Sequence, residues 1–194
     1  MPLSHLEERD SDEDHMIENE FPYMKGRLKA IDYEAIIEKG EPWKDPIFPH
    51  GKYCLFINHQ SPQKPSPSKQ KWVDKFHWKR ASEYFEDGFE VFDGIDPDDI
   101  IMGSCNDCYM FAALAGMAEG TSKEVTMEEK GARIKDNFLV TKVNSAGCYA
   151  IQFIIDGQPR TIVVDDYFPF MYTKGGKEVF AFAKTKTGEN EIWV

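Results

Sequence analysis

The sequence predicts an α+β fold, a central buried helix with antiparallel strands after it, and two stretches predict it. The first is DCYMFAALAGMAE, Asp107 to Glu119, where Ala112, Ala113, Ala115 and Ala118 favour helix and apolar residues occur on every side. A helix apolar all round is a buried one, and Gly120 ends it. The second is a series of strand-like runs, NFLVTKV, CYAIQFII and RTIVVDD, at 137–143, 148–155 and 160–166. Asp156 and Gly157 join the last two as a hairpin turn.

Upstream of the helix the chain divides into three parts. Residues 1–22 form an acidic tail, LEERDSDEDHMIENE, with Arg9 its only permanent positive charge. Such a run is a solvated segment, and its charge suits a basic protein surface. Residues 23–70 form an arm of scattered aromatics. It holds one helix, Asp32 to Glu38 stopped by Gly40, and then EPWKDPIFP, where Pro46 and Pro49 force extended or turn backbone. SPQKPSPSKQ, Ser61 to Gln70, closes the arm as an exposed linker. Residues 71–194 form the lobe itself. It starts with the aromatic stretch FHWKRASEYF (76–85) and an acidic loop, DGFEVFDGIDPDDIIMGS (87–104), broken by Gly88, Gly94 and Pro97. Between the central helix and the strands, Thr121 to Asp136 is a polar connection with a short helix at Met127 to Ile134.

Composition limits the function classes. The 194 residues suit one domain with appended segments, and 41% hydrophobic content with 13% aromatic residues supplies a core. A net charge of −11 argues against nucleic acid or an anionic membrane as partner. The longest apolar run, Tyr109 to Ala118, is too short to span a bilayer. MPLSHLEERDSDEDH has neither the basic nor the apolar region of a signal peptide. Cys54, Cys105, Cys108 and Cys148 then read as cytosolic thiols, and the expected location is cytoplasmic.

Cys105 and Cys108, three apart at the helix start, allow four readings. A structural zinc site needs four ligands, and no second cysteine pair or spaced histidine pair accompanies them. A thioredoxin-like redox pair needs a strand running into the motif, and an acidic Gly/Pro-broken loop precedes it instead. Both cysteines could be small, buried and inert. Alternatively one is a nucleophile, because a helix N-terminus offers partial positive charge to a thiolate and free N–H groups to an oxyanion. Cys108 is better placed for that than Cys105.

The motifs resemble the calpain-type cysteine proteases, which share the papain-like fold. GSCNDCYMFAALAGMAE is similar to the segment in which Gln-Gly-x-x-Gly-Asp-Cys-Trp opens the family's central helix. KDPIFP (44–49) resembles its Asp-Pro-x-Phe-Pro element, and WKRASE (78–83) its Trp-x-Arg-Pro element. GCYAIQFIIDGQPRTIVVDDYFPF resembles its hairpin, and NEIWV (190–194) the Asn-Glu-x-Trp that ends the first lobe. The resemblance runs from about Trp43 to the last residue.

That resemblance implies the first, nucleophile-bearing lobe, with Cys108 as nucleophile and no organic cofactor. It also implies a calcium-binding loop using Gly94, Asp99 and the carbonyl of Phe92, with Glu178 as a further carboxylate. FDGIDPDD is rich in the hard oxygen donors that calcium takes. Two departures bear on activity. Met102 stands where the family has its oxyanion glutamine, and a thioether donates no hydrogen bond. The base histidine and orienting asparagine lie on a second lobe, beyond Asn-Glu-x-Trp. The expectation is a lobe inactive alone, a non-catalytic scaffold subunit of a cytoskeletal or other large assembly. Its partner would cover the face around Cys108 and Trp193. The alternative is one half of an active calcium-dependent protease, completed by a second lobe or chain.

Overall fold

The computed structural model describes residues 31–46, 48, 50, 75–103, 108–119, 132–155, 157–184 and 190–194. The acidic tail and the 61–70 linker lie outside the described residues.

The arm helix, α1 (Tyr33–Lys39), is bounded by its own side chains and backbone. Asp32 accepts from the Ala35 N–H at 3.0 Å, and Gly40, at φ +69°, donates to Ile36 and Ile37 carbonyls. The helix lies against the hairpin below.

The lobe holds two small antiparallel sheets. β1 (His77–Arg80) runs into the single-turn helix α2 (Ala81–Tyr84) and pairs with β4 (Tyr167–Tyr172), which pairs with β5 (Glu178–Phe180). His77 faces Phe170 and Arg80 faces Tyr167 in register. The aromatic residues of FHWKRASEYF pack on this sheet. Phe170 is fully buried, its ring 4.5 Å from Phe180 and 4.6 Å from Tyr84, and such ring pairs add to the burial itself.

β2 (Cys148–Ile155) and β3 (Gln158–Asp165) form the expected hairpin, with Ile155 opposite Gln158 across a two-residue turn. Gly157 takes φ +76° there, a conformation glycine adopts freely. The base, Cys148 to Ala150, is buried, whereas the distal half is exposed.

The predicted strand NFLVTKV does not form. Only Phe138 bridges to Ile151, and the N–H groups of Leu139 and Val140 both turn to the Ala150 carbonyl. Successive residues of a strand cannot share one acceptor and continue a ladder, so the chain leaves the sheet after one bridge.

The central helix, α3 (Cys108–Glu119), forms where predicted, but it is not buried all round. Only Phe111 and Ala118 are buried, and Tyr109 is 78% exposed. Its C-terminal end enters a core of Ile95, Ala118, Ile134 and Trp193, flanked by Phe92, Leu114 and Phe138. The described part of the following connection holds α4 (Ala132–Lys135), one residue past the predicted end of its helix. α3 packs mainly on α4 and the 3-10 turn at Pro97–Asp99, and in its first two turns only Phe111 is buried.

Candidate active site

Cys108 is the first residue of α3, and its thiol is free and exposed. Cys105 lies outside the described residues. The segment that leads to Cys108 is anchored. Ile101 and Lys184 exchange N–H to carbonyl bonds of 3.0 Å in both directions. Gly103 lies so close to the Phe182 backbone that a Cβ would overlap its carbonyl. Met102, between these two anchors, is exposed and carries no donor. The chain just after β5 thus fixes position 102.

The loop expected to hold calcium is tied internally. Asp99 is buried and accepts from the Asp96 N–H at 2.6 Å, while Asp96 accepts from Asp98. Gly94 takes φ +109°, and the Phe92 ring packs against Phe138. Glu178 stands on β5 and spends both oxygens on β1, one on His77 and one on Lys79 at 2.8 Å. The carboxylate that reaches the loop is Glu191, which is buried and accepts from the Asp93 N–H at 2.7 Å. Among the described residues no three His, Cys, Asp or Glu side chains gather to hold a metal. Asp99, Glu191 and the loop carbonyls are oxygen atoms of the kind calcium takes, whereas both Glu178 oxygens are held by β1.

A polar cluster centred on Arg80 was not singled out from the sequence. It joins the arm to the two aspartates of IVVDD. Arg80 Nε donates to Asp166 Oδ1 at 2.7 Å, and Arg80 Nη2 donates to the carbonyls of Trp43 and Ala146. Asp165 Oδ2 takes the Asp45 N–H at 2.7 Å and lies 2.8 Å from His50 Nε2. The His50 ring stacks on Tyr167 and Trp78. Burial pushes the Asp166 carboxyl above its ordinary range, and the hydrogen bond and charge of Arg80 pull it back. Two adjacent aspartates closing an otherwise apolar strand were the available signal, because buried carboxylates require donors.

Cys148 belongs to the same neighbourhood, opposite Asp165 in the hairpin register. A cysteine, a histidine and an aspartate therefore come near one another away from α3. Burial, then the charges of Asp165 and Asp45, push the Cys148 thiol up to about 11, so it remains protonated and unreactive at neutral pH. Trp193 is only 5% exposed and packs in the core, so it cannot itself form part of an outer face with Cys108. Its indole is covered by Ala118 and Ile134, and the outward face near Cys108 belongs to Tyr109 and Met110.

The profile of the family described as Calpain family cysteine protease matches residues 43–194. The chain is 29% identical over 178 residues to Calpain-type cysteine protease DEK1 of Arabidopsis thaliana, covering 87% of this chain and 7% of that protein. It is 29% identical over 166 residues to the Calpain-1 catalytic subunit of Gallus gallus, covering 84% and 21%. With the Calpain-2 catalytic subunit of Homo sapiens it shares 31% over 153 residues, covering 77% and 20%. The chain thus spans between 7% and 21% of the length of these curated relatives.

Proposed function

The chain belongs to the calpain family of cysteine proteases, and from that premise we propose that it is the nucleophile-bearing lobe of such a protease, inactive alone and serving as a non-catalytic subunit of a larger assembly. Thiol proteolysis needs a thiolate, a base and a donor for the oxyanion. Cys108 supplies the sulfur at the start of α3. Met102 supplies no donor, and losing one such donor costs roughly 2.7–4 kcal/mol of transition-state stabilisation.

The observation that carries the reading concerns the base. Of the two described histidines, His50 pairs with Asp165 and His77 with Glu178, and neither is hydrogen-bonded to Cys108. A thiol without a base retains only the rate that binding and the oxyanion site provide. The purified chain with a peptide substrate and calcium should turn over no faster than its Cys108→Ala variant. Turnover that the variant loses would overturn the proposal.

One feature favours the second reading, half of an active calcium-dependent protease completed by another lobe or chain. The outward side of α3 exposes Tyr109 and Met110 beside Cys108, as a surface meant for cover would. Mixing the chain with a lobe that carries the histidine and asparagine should then produce turnover that depends on Cys108. For either reading we assign the partner face to this side of α3.

We assign calcium to Asp99, Glu191 and the carbonyls of Phe92 and Gly94, with no catalytic step. Millimolar calcium should raise the melting temperature of the wild-type chain and not of Asp99→Asn. The expected setting is a cytoplasmic cytoskeletal or other large assembly, with the acidic 1–22 tail on a basic protein surface. Among the described residues no helix is long and apolar enough to cross a membrane. Deleting residues 1–22 should weaken co-sedimentation with that assembly.

A further inference from the structure

The chain contains three Asp-Gly steps, Asp87-Gly88, Asp93-Gly94 and Asp156-Gly157. At such a step the glycine nitrogen can attack the preceding side-chain carboxyl, because no Cβ shields its approach. Asp156 lies outside the described residues. The other two steps differ in one respect. Gly88 N–H donates to the Phe85 carbonyl at 3.1 Å, closing the turn after α2. Gly94 N–H has no hydrogen-bond partner among the described residues. Both glycines have open space where a Cβ would stand, at φ +92° and +109°, so the hydrogen bond and not crowding separates them.

The surroundings of Asp93 hold its backbone and leave its side chain loose. Its N–H donates to Glu191 Oε2 at 2.7 Å. Phe92 before it packs on Phe138, and Ile95 beyond Gly94 sits in the core. The Asp93 carboxyl makes no hydrogen bond or ion pair among the described residues, and both Asp93 and Gly94 are exposed to water. A carboxyl and the next nitrogen along the chain are thus both unoccupied, between residues that are fixed.

We propose that Asp93-Gly94 is a site of spontaneous covalent isomerisation, at which Asp93 becomes isoaspartate through a cyclic imide. The Gly94 nitrogen bonds to Cγ of the protonated Asp93 carboxyl, whose OH departs with the amide proton as water. Water then reopens the ring. Attack at the main-chain carbonyl breaks its bond to nitrogen, leaving Gly94 attached through Cγ and a carboxylate on the Asp93 Cα. Attack at Cγ restores aspartate. Water is the only species lost and regained, and no electrons change hands.

The isomer has one more main-chain atom before Gly94. Its carboxylate stands on the Cα beside the N–H that Glu191 accepts, and an α-carboxyl is ionised at neutral pH. Glu191 is buried, so a second negative charge so close is repelled. The bond between Asp93 and Glu191 breaks, and the loop loosens from the 190–194 segment.

The test ages the full chain at neutral pH with a chelator, in water enriched in heavy oxygen, both folded and in urea. The chelator makes the outcome independent of the calcium assignment. Electron-transfer fragmentation then reads isoaspartate and incorporated oxygen residue by residue. In the folded chain isoaspartate should form at 93 about tenfold faster than at 87, the ratio that one ordinary hydrogen bond sets. In urea the two rates should converge, because Gly88 N–H is released. Asp93→Glu keeps the charge but needs a larger ring, and it should show no isomer at 93 with unchanged circular dichroism. Aged wild-type chain should melt below fresh chain, and aged Asp93→Glu should not. Equal rates at 87 and 93 in the folded chain overturn the proposal, as does a residue 93 that stays free of isomer. An isomerised chain that melts as fresh chain does overturns the loosening of the loop.

Discussion

Arg80 Nε and Asp166 Oδ1 stand 2.7 Å apart with side chains 11% and 5% exposed, so the lobe contains a buried ion pair. Arg80 also donates to carbonyls on both sides of it, Trp43 in the arm and Ala146 before β2. One guanidinium thus joins the arm, the hairpin and the first sheet. Removing it as Arg80→Met leaves Asp166 charged and buried, a loss of about 3–5 kcal/mol. Asp166→Asn keeps an acceptor for Arg80 Nε, and the guanidinium retains its two carbonyls, so it should lose less. Urea unfolding of the two variants checks the order, and equal losses would contradict this account of the pair.

Gly147 closes the same cluster from the other side. It takes φ +61°, and a Cβ there would overlap Asp166 Oδ1 and Arg80 Nη2. Gly88 takes φ +92° with open space around it. Gly88→Ala should therefore cost only backbone strain, about 1–2 kcal/mol, whereas Gly147→Ala adds displacement of the ion pair and should cost more. Thermal melts of the two variants side by side provide the measurement.

The sequence carries local periods and turn signals better than it carries distant partners. The helix at Cys108, the hairpin about Gly157 and the arm helix ended by Gly40 all follow from residues within a few positions of one another. The failed strand at 137–143 has the right composition, but strand formation depends on a neighbour with free, correctly phased groups. Whether α3 is covered depends on what packs against it, and its residues alone cannot state that. Likewise Glu178 and Glu191 look alike in sequence, and only the fold shows which one meets the loop at Asp93.

Cys108 and Cys148 should differ sharply toward an alkylating reagent. The first is exposed at a helix start, while the second is buried with its thiol pushed up to about 11. Iodoacetamide on the native chain at neutral pH, followed by peptide mapping, should label Cys108 and leave Cys148 unlabelled until denaturant is added. Native labelling of Cys148 would mean that the base of the hairpin opens readily.

Glu178 gives the first sheet a dependence on acid. Its hydrogen bond from Lys79 holds the carboxyl below the usual carboxylate range; burial opposes this, and the bond from His77 adds to it. A carboxyl depressed in the folded state contributes stability that is present above its unfolded value, about 4.3, and is lost as pH falls through the lower folded value. Asp166 works in the opposite sense. Raised by burial, it contributes stability below its unfolded value and loses it as pH rises through the folded one. The urea midpoint of Glu178→Gln should fall less steeply than wild type below about pH 4.3, whereas Asp166→Asn should remove a contribution that is favourable in acid. Matched slopes for Glu178→Gln and wild type would show that the β1–β5 ion pair contributes nothing to acid unfolding.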